Sequence, residues 1–225
     1  MCTHSPLAIV RLMRVIDHLA SADQRARHWE DAYEGSEPDT VSWYQPEPVV
    51  SLELVDVLGV APESSVLDVG GGASVLLDRL LARGFTDLTV LDISDAALRA
   101  SRQRVGNDAR AAWITEDLLT WEPTRRYDLW HDRAVFHFLS GGEVDDYRSV
   151  MGRAVAPGGS VIMATFAPDG PERCSGLSVT RYSADELGAV LGSEFQVVEH
   201  RREVHTTPAG IKQPFTWIAA RSASR

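Results

Sequence analysis

Residues 66–81 read VLDVGGGASVLLDRLL, and this stretch decides the fold. Apolar residues typical of a buried strand lead through Asp68 into three consecutive glycines, and an apolar helical pattern follows at once. The pattern predicts a strand, a tight turn and a helix. Glycines let a ligand approach the main chain, and the first amides of a helix are unpaired and partly positive. We therefore expect a nucleotide-like ligand at this turn.

The composition limits the number of domains and the classes of partner. A length of 225 residues suits one α/β domain, and a formal charge of -10 disfavours nucleic acid, because neutralising phosphates requires clustered Lys and Arg. Cys2 and Cys174 are too few for a disulfide framework, and the apolar run at residues 7–16 is too short for a membrane span. The scattered histidines predict no metal site. We expect a cytoplasmic protein with no nucleic-acid or membrane partner.

Strand and helix patterns alternate after the glycine turn. The predicted strands are residues 66–69, 88–91, 111–115, 127–131 and 160–166, and the predicted helices that follow the turn are residues 75–81, 94–104, 144–155 and 183–191. Such alternation predicts a parallel sheet with right-handed crossovers. Residues 195–205 and 215–220 form two further strands without a helix between them, so the sheet is expected to end in an antiparallel hairpin. The predicted fold is α/β, with a mostly parallel seven-stranded sheet.

The beginning of the chain differs in composition from the rest. Residues 6–28 show helical spacing of apolar residues and predict an amphipathic helix, whereas residues 28–48 are rich in aromatics, acids and prolines and are predicted to be mostly irregular. The aromatic residues there either line a site or fix the segment onto the domain. A helix is predicted at residues 49–58. We therefore divide the chain into an N-terminal helix and lid segment, residues 1–48, and a ligand-binding domain, residues 49–225.

The glycine turn lacks the fingerprint of a dinucleotide-binding turn. That fingerprint requires Gly or Ala where this chain has Val75, whose branched side chain would crowd the helix contact. Instead, Asp68 precedes the first glycine by two residues, and Asp92 ends the next strand, where it can accept hydrogen bonds from ribose hydroxyls. Asp117 ends the strand after that, where a purine amino group would lie. All three acids are expected at one edge of the sheet.

From residue 29 to the end, these motifs resemble the class I S-adenosylmethionine-dependent methyltransferases. The resemblance implies a three-layer Rossmann-like methyltransferase fold, S-adenosyl-L-methionine as cofactor, and transfer of a methyl group to N, O or S of a small molecule. In that family the acid at Asp68 and the glycine loop face the methionine part of the cofactor, the acid at Asp92 holds the ribose, and the acid at Asp117 lies beside adenine. The cofactor-binding residues implied are Tyr44, Asp68, Gly70, Gly71, Gly72, Ser74, Asp92, Ile93, Asp117, Leu118, Asp132 and Arg133.

Candidates for catalysis follow the fourth strand, in the sequence WHDRAVFHF at residues 130–138. An ammonium or hydroxyl acceptor must lose a proton, which a base can take, whereas a thiolate needs none. Asp132 and His137 are the catalytic candidates, although the pattern around His137 favours a partly buried histidine bonded to the backbone over a base. The long loop at residues 167–179 is placed where an acceptor would enter, and Cys174 in it either contacts the acceptor or is an inert thiol.

Three other functions stay open at this point. Residues 29–45 followed by DVGGGAS also resemble the elongation-factor lysine methyltransferases and, more distantly, the thiopurine methyltransferases, so a protein side chain is an alternative acceptor. The segment HDRAVFHF departs from the Asp-Lys-Gly motif of those lysine enzymes. From other classes, an NAD(P)-dependent oxidoreductase and a non-catalytic cofactor-binding protein are alternatives. The acceptor and the oligomeric state are not encoded by these motifs.

Overall fold

The computed structural model describes residues 21–35 and 37–223. Most of the helix predicted at residues 6–28 lies outside the described residues. The α-helices are α1 Ala22–Glu34, α2 Val49–Val57, α3 Leu76–Ala82, α4 Asp95–Val105, α5 Gly142–Ala154 and α6 Ala184–Leu191. The strands are β1 Ser65–Val69, β2 Asp87–Asp92, β3 Ala111–Thr115, β4 Tyr127–Arg133, β5 Val155–Phe166, β6 Arg173–Cys174, β7 Leu177–Ser178, β8 Phe195–Thr206 and β9 Lys212–Ser222. Among these helices, none is both long enough and apolar enough to cross a bilayer.

Seven strands form one sheet in the order β3-β2-β1-β4-β5-β9-β8. The strands from β3 to β5 run parallel, and β9 pairs antiparallel with both β5 and β8. The predicted mostly parallel seven-stranded sheet with a closing hairpin is confirmed. Because β1 is central and flanked by β2 and β4, the carboxyl ends of all three strands meet beside the glycine turn.

Helices cover both faces of the sheet and produce three layers. Consecutive residues of a strand point to opposite faces, and Val66 and Leu67 of β1 accordingly belong to different buried clusters. The Val66 cluster contains apolar side chains of α2, α3 and α4, whereas the Leu67 cluster contains those of α5 and α6. Burial on both faces explains why the central strands read as continuous apolar runs.

Three segments differ from the sequence-based expectation. The prediction of a mostly irregular segment after residue 28 is wrong for residues 28–34, which continue α1. Strand β5 begins at Val155, so it includes residues 157–159, which precede the strand predicted at residues 160–166. Its register against β4 shifts between Tyr127 and Leu129. The long loop at residues 167–179 contains the two-stranded hairpin β6-β7.

Candidate active site

The glycine turn between β1 and α3 is packed too closely for side chains. Gly70 and Gly72 have φ angles of +62° and +40°, which favour glycine. A Cβ at Gly70 would overlap the side chain of Val135, and one at Gly71 would overlap the carboxylate of Asp68. A Cβ at Gly72 would lie 2.8 Å from Oδ2 of Asp92. The turn therefore presents bare backbone beside two carboxylates.

Asp68 is a buried carboxylate with one oxygen still unsatisfied. Its Oδ1 lies 2.7 Å from Nδ1 of His131, whose Nε2 lies 3.0 Å from Oγ of Ser51. Oδ2 is buried and has no hydrogen-bond partner among the described residues. Because an unpaired buried acceptor costs about 1–3 kcal/mol, Asp68 is arranged to accept a further hydrogen bond.

Asp92 lies on the neighbouring strand and is also buried. Its Oδ1 accepts a hydrogen bond from the backbone N–H of Ser94 at 2.9 Å. Burial raises the pKa of Asp92 to about 7, and the negative charges of Asp68 and Glu30 raise it further, whereas the hydrogen bond from Ser94 acts to lower it. A donor or a positive charge bound at this site would therefore stabilise the ionised form.

The third predicted acid, Asp117, is paired with a residue from α1. Its Oδ2 accepts hydrogen bonds from Nε and Nη2 of Arg25 at 3.0 and 2.6 Å, and its Oδ1 accepts one from the N–H of Leu119. Arg25 also donates to Oε1 of Glu143 at 3.1 Å. Sequence reasoning missed Arg25, although the spacing of Arg25, Trp29 and Tyr33 at i, i+4 and i+8 places all three on one face of a helix.

Helix α1 forms a roof over the carboxyl edge of the sheet. Besides the Arg25 contacts, Glu30 accepts hydrogen bonds from Oγ of Ser94 at 2.7 Å and from the N–H of Ala96, at the start of α4. Trp29 lies between Arg25 and Glu30 in α1, and Tyr33 follows Glu30. Both side chains line the cleft beneath the helix. The helix is thus fastened to the domain on both sides of the cleft.

Beneath α1 lies a cleft with two lobes. The main lobe encloses about 900 Å³ and the minor lobe about 560 Å³, both including space open to solvent. They meet at Tyr33, Trp43, Val69, Gly70 and Arg133, which line both. The two lobes therefore border one another at the glycine turn.

The main lobe has two ends of opposite character. The acidic end lies beyond β2 and β3 and contains Asp92, Glu116 and Asp117. The aromatic end lies beyond β4 and β5, on the other side of β1, and is lined by Trp29, Trp43, Arg133, Phe138 and Cys174.

Ring contacts hold the aromatic end together. The ring centroid of Trp29 lies 5.1 Å from that of Phe138 and 5.8 Å from that of Trp43, in edge-to-face arrangements. Nε1 of Trp43 donates to the hydroxyl of Tyr33 at 2.9 Å. Burial raises the pKa of the Cys174 thiol to about 12, so it is neutral in the working pH range. These contacts favour the reading in which Trp29 and Trp43 line a site, while they also fix α1 to the domain.

Arg133 is the cation of the aromatic end. Its Nη1 donates to the carbonyl of Trp43 at 2.9 Å, and its guanidinium carbon lies 4.6 Å from the centroid of the Phe215 ring. Burial lowers the pKa of Arg133, but arginine stays charged in proteins. Arg133 lines both lobes of the cleft, whereas Asp132 lines neither. That either residue borders the cofactor stays a prediction.

The two predicted catalytic residues do not line the cleft. His137 is buried against Phe138 and Phe166, and its Nδ1 accepts a hydrogen bond from the Phe166 N–H at 3.4 Å. Burial, with a contribution from the charge of Arg133, lowers the pKa of His137 to about 3. The geometry therefore matches the buried histidine bonded to the backbone. From this buried position His137 cannot reach an acceptor in the cleft.

Asp132 supports the turn after β4. It accepts hydrogen bonds from the N–H of Val135 at 2.9 Å and from the hydroxyl of Tyr147 at 2.8 Å. Burial raises its pKa to about 6. Val135 packs on Gly70, so Asp132 influences the cleft by holding this turn in place. The geometry does not support direct contact between Asp132 and a ligand.

The structure gathers most of the predicted cofactor-binding residues at the cleft. The minor lobe is lined by Tyr44, Asp68, Gly71 and Ser74, the main lobe by Asp92, Ile93, Asp117 and Leu118, and both lobes by Gly70 and Arg133. Gly72 packs against Asp92 behind the turn. Sequence reasoning missed Ser51, which belongs to no recognisable motif. It placed His131 among the candidates after the fourth strand, but not as the partner of Asp68.

A family comparison agrees with this geometry. Residues 67–161 match the family described as methyltransferase domain. This range begins within β1 and contains the glycine turn and the acids at the carboxyl edge. Residues 67–161 are therefore similar to a methyltransferase domain. The predicted resemblance to the methyltransferases is thereby confirmed, and it covers the part of the chain that contains the glycine turn and the acids beside the cleft.

Individual relatives resemble this methyltransferase domain at low identity. The chain is 28% identical to the ubiquinone biosynthesis O-methyltransferase of Nitrosomonas europaea, with 91% of this chain and 80% of that protein covered. It is 25% identical to the malonyl-[acyl-carrier protein] O-methyltransferase 2 of Ilyobacter polytropus, with 56% of this chain covered, and it spans only half the length of that relative.

A solved structure shows the same fold. The Burkholderia thailandensis 1,6-didemethyltoxoflavin-N1-methyltransferase, solved with 1,6-didemethyltoxoflavin and S-adenosylhomocysteine bound, has a TM-score of 0.69. It is 20% identical, and the match covers 92% of both chains.

Proposed function

We propose that this protein transfers a methyl group from S-adenosyl-L-methionine to an N, O or S atom of a small molecule. The observation that carries the proposal is the roofed cleft at the carboxyl edge of the sheet, where the glycine turn lies beside two buried carboxylates on adjacent strands. Small-molecule O- and N-methyltransferases among the relatives support it. The roof favours a small molecule over a protein side chain, because an acceptor must pass beneath α1.

The residues present fit the proposed cofactor. Oδ2 of Asp68 is a buried carboxylate oxygen without a partner, which suits an ammonium group, and Asp92 lies on the next strand where ribose hydroxyls would donate to it. The cofactor supplies an electrophilic methyl group on a sulfonium. Gly70 and Gly71 line the cleft, so a ligand there can approach bare main chain.

The protein contributes by holding the acceptor in line and keeping water away. Methyl transfer from a sulfonium needs the attacking atom on the axis of the breaking bond, so positioning is the main requirement. Rigid aromatic rings from Trp29, Trp43 and Phe138 provide that position at the aromatic end. His137 is not assigned as a base, because it is buried outside the cleft.

We also propose that the division of the chain is functional. Residues 1–48 would act as a lid, of which residues 21–35 and 37–48 are described, and residues 49–225 would form the methyltransferase domain. A cytoplasmic location stays a prediction.

Label transfer tests the proposed function. The purified protein is incubated with methyl-labelled S-adenosylmethionine, a panel of small thiols, phenols, carboxylic acids and amines, and a cell lysate. Label in the small-molecule fraction is the expected result, and label in the protein fraction would instead support the lysine alternative. Binding of S-adenosylhomocysteine without any turnover would identify a non-catalytic cofactor-binding protein. Asp87→Ala is a suitable control that should retain label transfer, because Asp87 lies on β2 at the end opposite Asp92.

A further inference from the structure

We propose that Arg133 binds the carboxylate of the methyl acceptor, and that the acceptor is a small aromatic carboxylate. This inference rests on the proposed function and narrows its substrate class. Its first support is the state of the guanidinium group. Nη1 donates to the Trp43 carbonyl, whereas Nε and Nη2 are buried and have no hydrogen-bond partner among the described residues.

The two unpaired donors form one edge of the guanidinium. Nε–H and the adjacent Nη2–H point the same way and match the two oxygens of a carboxylate, which is the bidentate geometry that distinguishes arginine from lysine. Burying charged donors without an acceptor is unfavourable. Because Arg133 lines both lobes of the cleft, the missing acceptor is expected to come from a bound ligand.

No internal carboxylate completes this edge among the described residues. Glu203 is the acid whose charge acts on Arg133. Its Oε1 accepts a hydrogen bond from Gln45 at 2.7 Å, and its Oε2 accepts one from Nε1 of Trp217 at 2.9 Å. Both oxygens of Glu203 are therefore engaged elsewhere.

The surroundings of Arg133 indicate the rest of the acceptor. The aromatic end is lined by the rings of Trp29, Trp43 and Phe138, while the cleft-lining acids Asp92, Glu116 and Asp117 lie beyond β2 and β3, at the acidic end of the cleft. Rigid ring walls beside one cation favour a planar, anionic molecule. A sulfonium and Arg133 are both positive, so an anion between them lowers their mutual repulsion.

The carboxylate of the cofactor itself is the other source of two oxygens. Contacts of Arg133 with Trp43 and Phe215, and its electrostatic effect on Cys174, place the side chain beside the aromatic end. We therefore assign the unpaired edge to the acceptor. Saturating the protein with S-adenosylhomocysteine, which carries the cofactor's carboxylate, separates the two sources.

Calorimetric titration of the protein saturated with S-adenosylhomocysteine tests the assignment. The probes are benzoate, 4-hydroxybenzoate, their neutral amides and acetate. We expect the aromatic carboxylates to bind about tenfold or more tightly than the amides and acetate. In Arg133→Gln this preference should fall to within about twofold, with S-adenosylhomocysteine affinity nearly unchanged. Arg221→Gln is the matched control, because Arg221 also donates to a backbone carbonyl, that of Leu58, away from the cleft.

The wild-type protein alone can overturn the assignment, so the test does not depend on Arg133→Gln folding. Equal binding of benzoate and benzamide, or binding of neither at millimolar concentration, contradicts it. A loss of S-adenosylhomocysteine affinity in Arg133→Gln, with the benzoate preference retained, would assign the edge to the cofactor's carboxylate and also overturn it. If wild-type protein fails to bind S-adenosylhomocysteine, the proposed function itself fails.

Discussion

The acidic and aromatic ends of the cleft are built in different ways. The carboxylates Asp92 and Asp117 come from strand ends that follow one another along the chain, and the repeating strand–helix pattern places them. The aromatic end combines Trp29 and Trp43 from before the domain with Phe138 and Cys174 from the segments that follow β4 and β5. The acidic end therefore follows from the repeating strand–helix pattern, whereas the aromatic end depends on segments that this pattern does not place. We expect acceptor choice to reside at the aromatic end.

The largest expected effect on stability comes from a substitution in the glycine turn, which joins the two ends of the cleft. Gly70→Ala should lower the unfolding free energy by about 2–4 kcal/mol, since the new Cβ adopts a positive φ and overlaps Val135. Gly59→Ala is the matched control, with the same φ of +62° and no atom within 4 Å. It should cost only about 1–2 kcal/mol. Urea unfolding measures both, and equal losses would refute the steric explanation.

Removing Asp92, the acid proposed to bind the ribose, should affect only cofactor binding. Asp92→Ala is expected to weaken S-adenosylhomocysteine binding by about ten- to a hundredfold, because charge-assisted hydrogen bonds contribute about 1.5–3 kcal/mol. Isothermal titration calorimetry measures the dissociation constant. Asp87→Ala, on the same strand but at its opposite end, should bind normally. An unchanged constant in Asp92→Ala would remove Asp92 from the site.

A double-mutant cycle would show whether Asp117 serves the cofactor or the roof. Arg25→Gln and Asp117→Asn each break the pair that fastens α1, so we expect each to weaken binding by about three- to tenfold. If the pair acts by holding α1, the double variant should be little worse than either single one, a coupling of about 1 kcal/mol. Additive losses would mean that Asp117 contacts adenine independently of Arg25.

The smallest expected effect concerns His137. Because its pKa is lowered to about 3, His137 is neutral at working pH, and His137→Gln should change the turnover number by less than about threefold. Stability should respond instead: a depressed histidine pKa stabilises the fold above about pH 6.5, and this contribution is lost as the pH falls toward 3. The measurement is the turnover number as a function of pH. If the wild-type rate changes near pH 6–7 and this change is absent in His137→Gln, His137 acts as a base after all.

The turn after β4 shows where sequence reasoning stopped. Within a strand, alternation predicts which side chains share a face. After Arg133, however, Ala134 has a φ of +72° and the chain reverses, with Asp132 holding the N–H of Val135. The alternation is lost at that residue. Arg133 consequently lines the cleft while His137 is buried behind it, and no local pattern distinguishes the two.

The sequence by itself determined the sheet, the glycine turn and the edge at which the acids meet. These features depend on contacts between residues close in the chain and on the fixed handedness of strand–helix–strand units, so periodicity reveals them. Only the tertiary structure decided that α1 lies over the cleft, that Arg25 pairs with Asp117 and that Arg133 keeps an unpaired edge. Arg25 and Asp117 are 92 residues apart. Contacts over such distances arise from packing of whole elements, which no local pattern records.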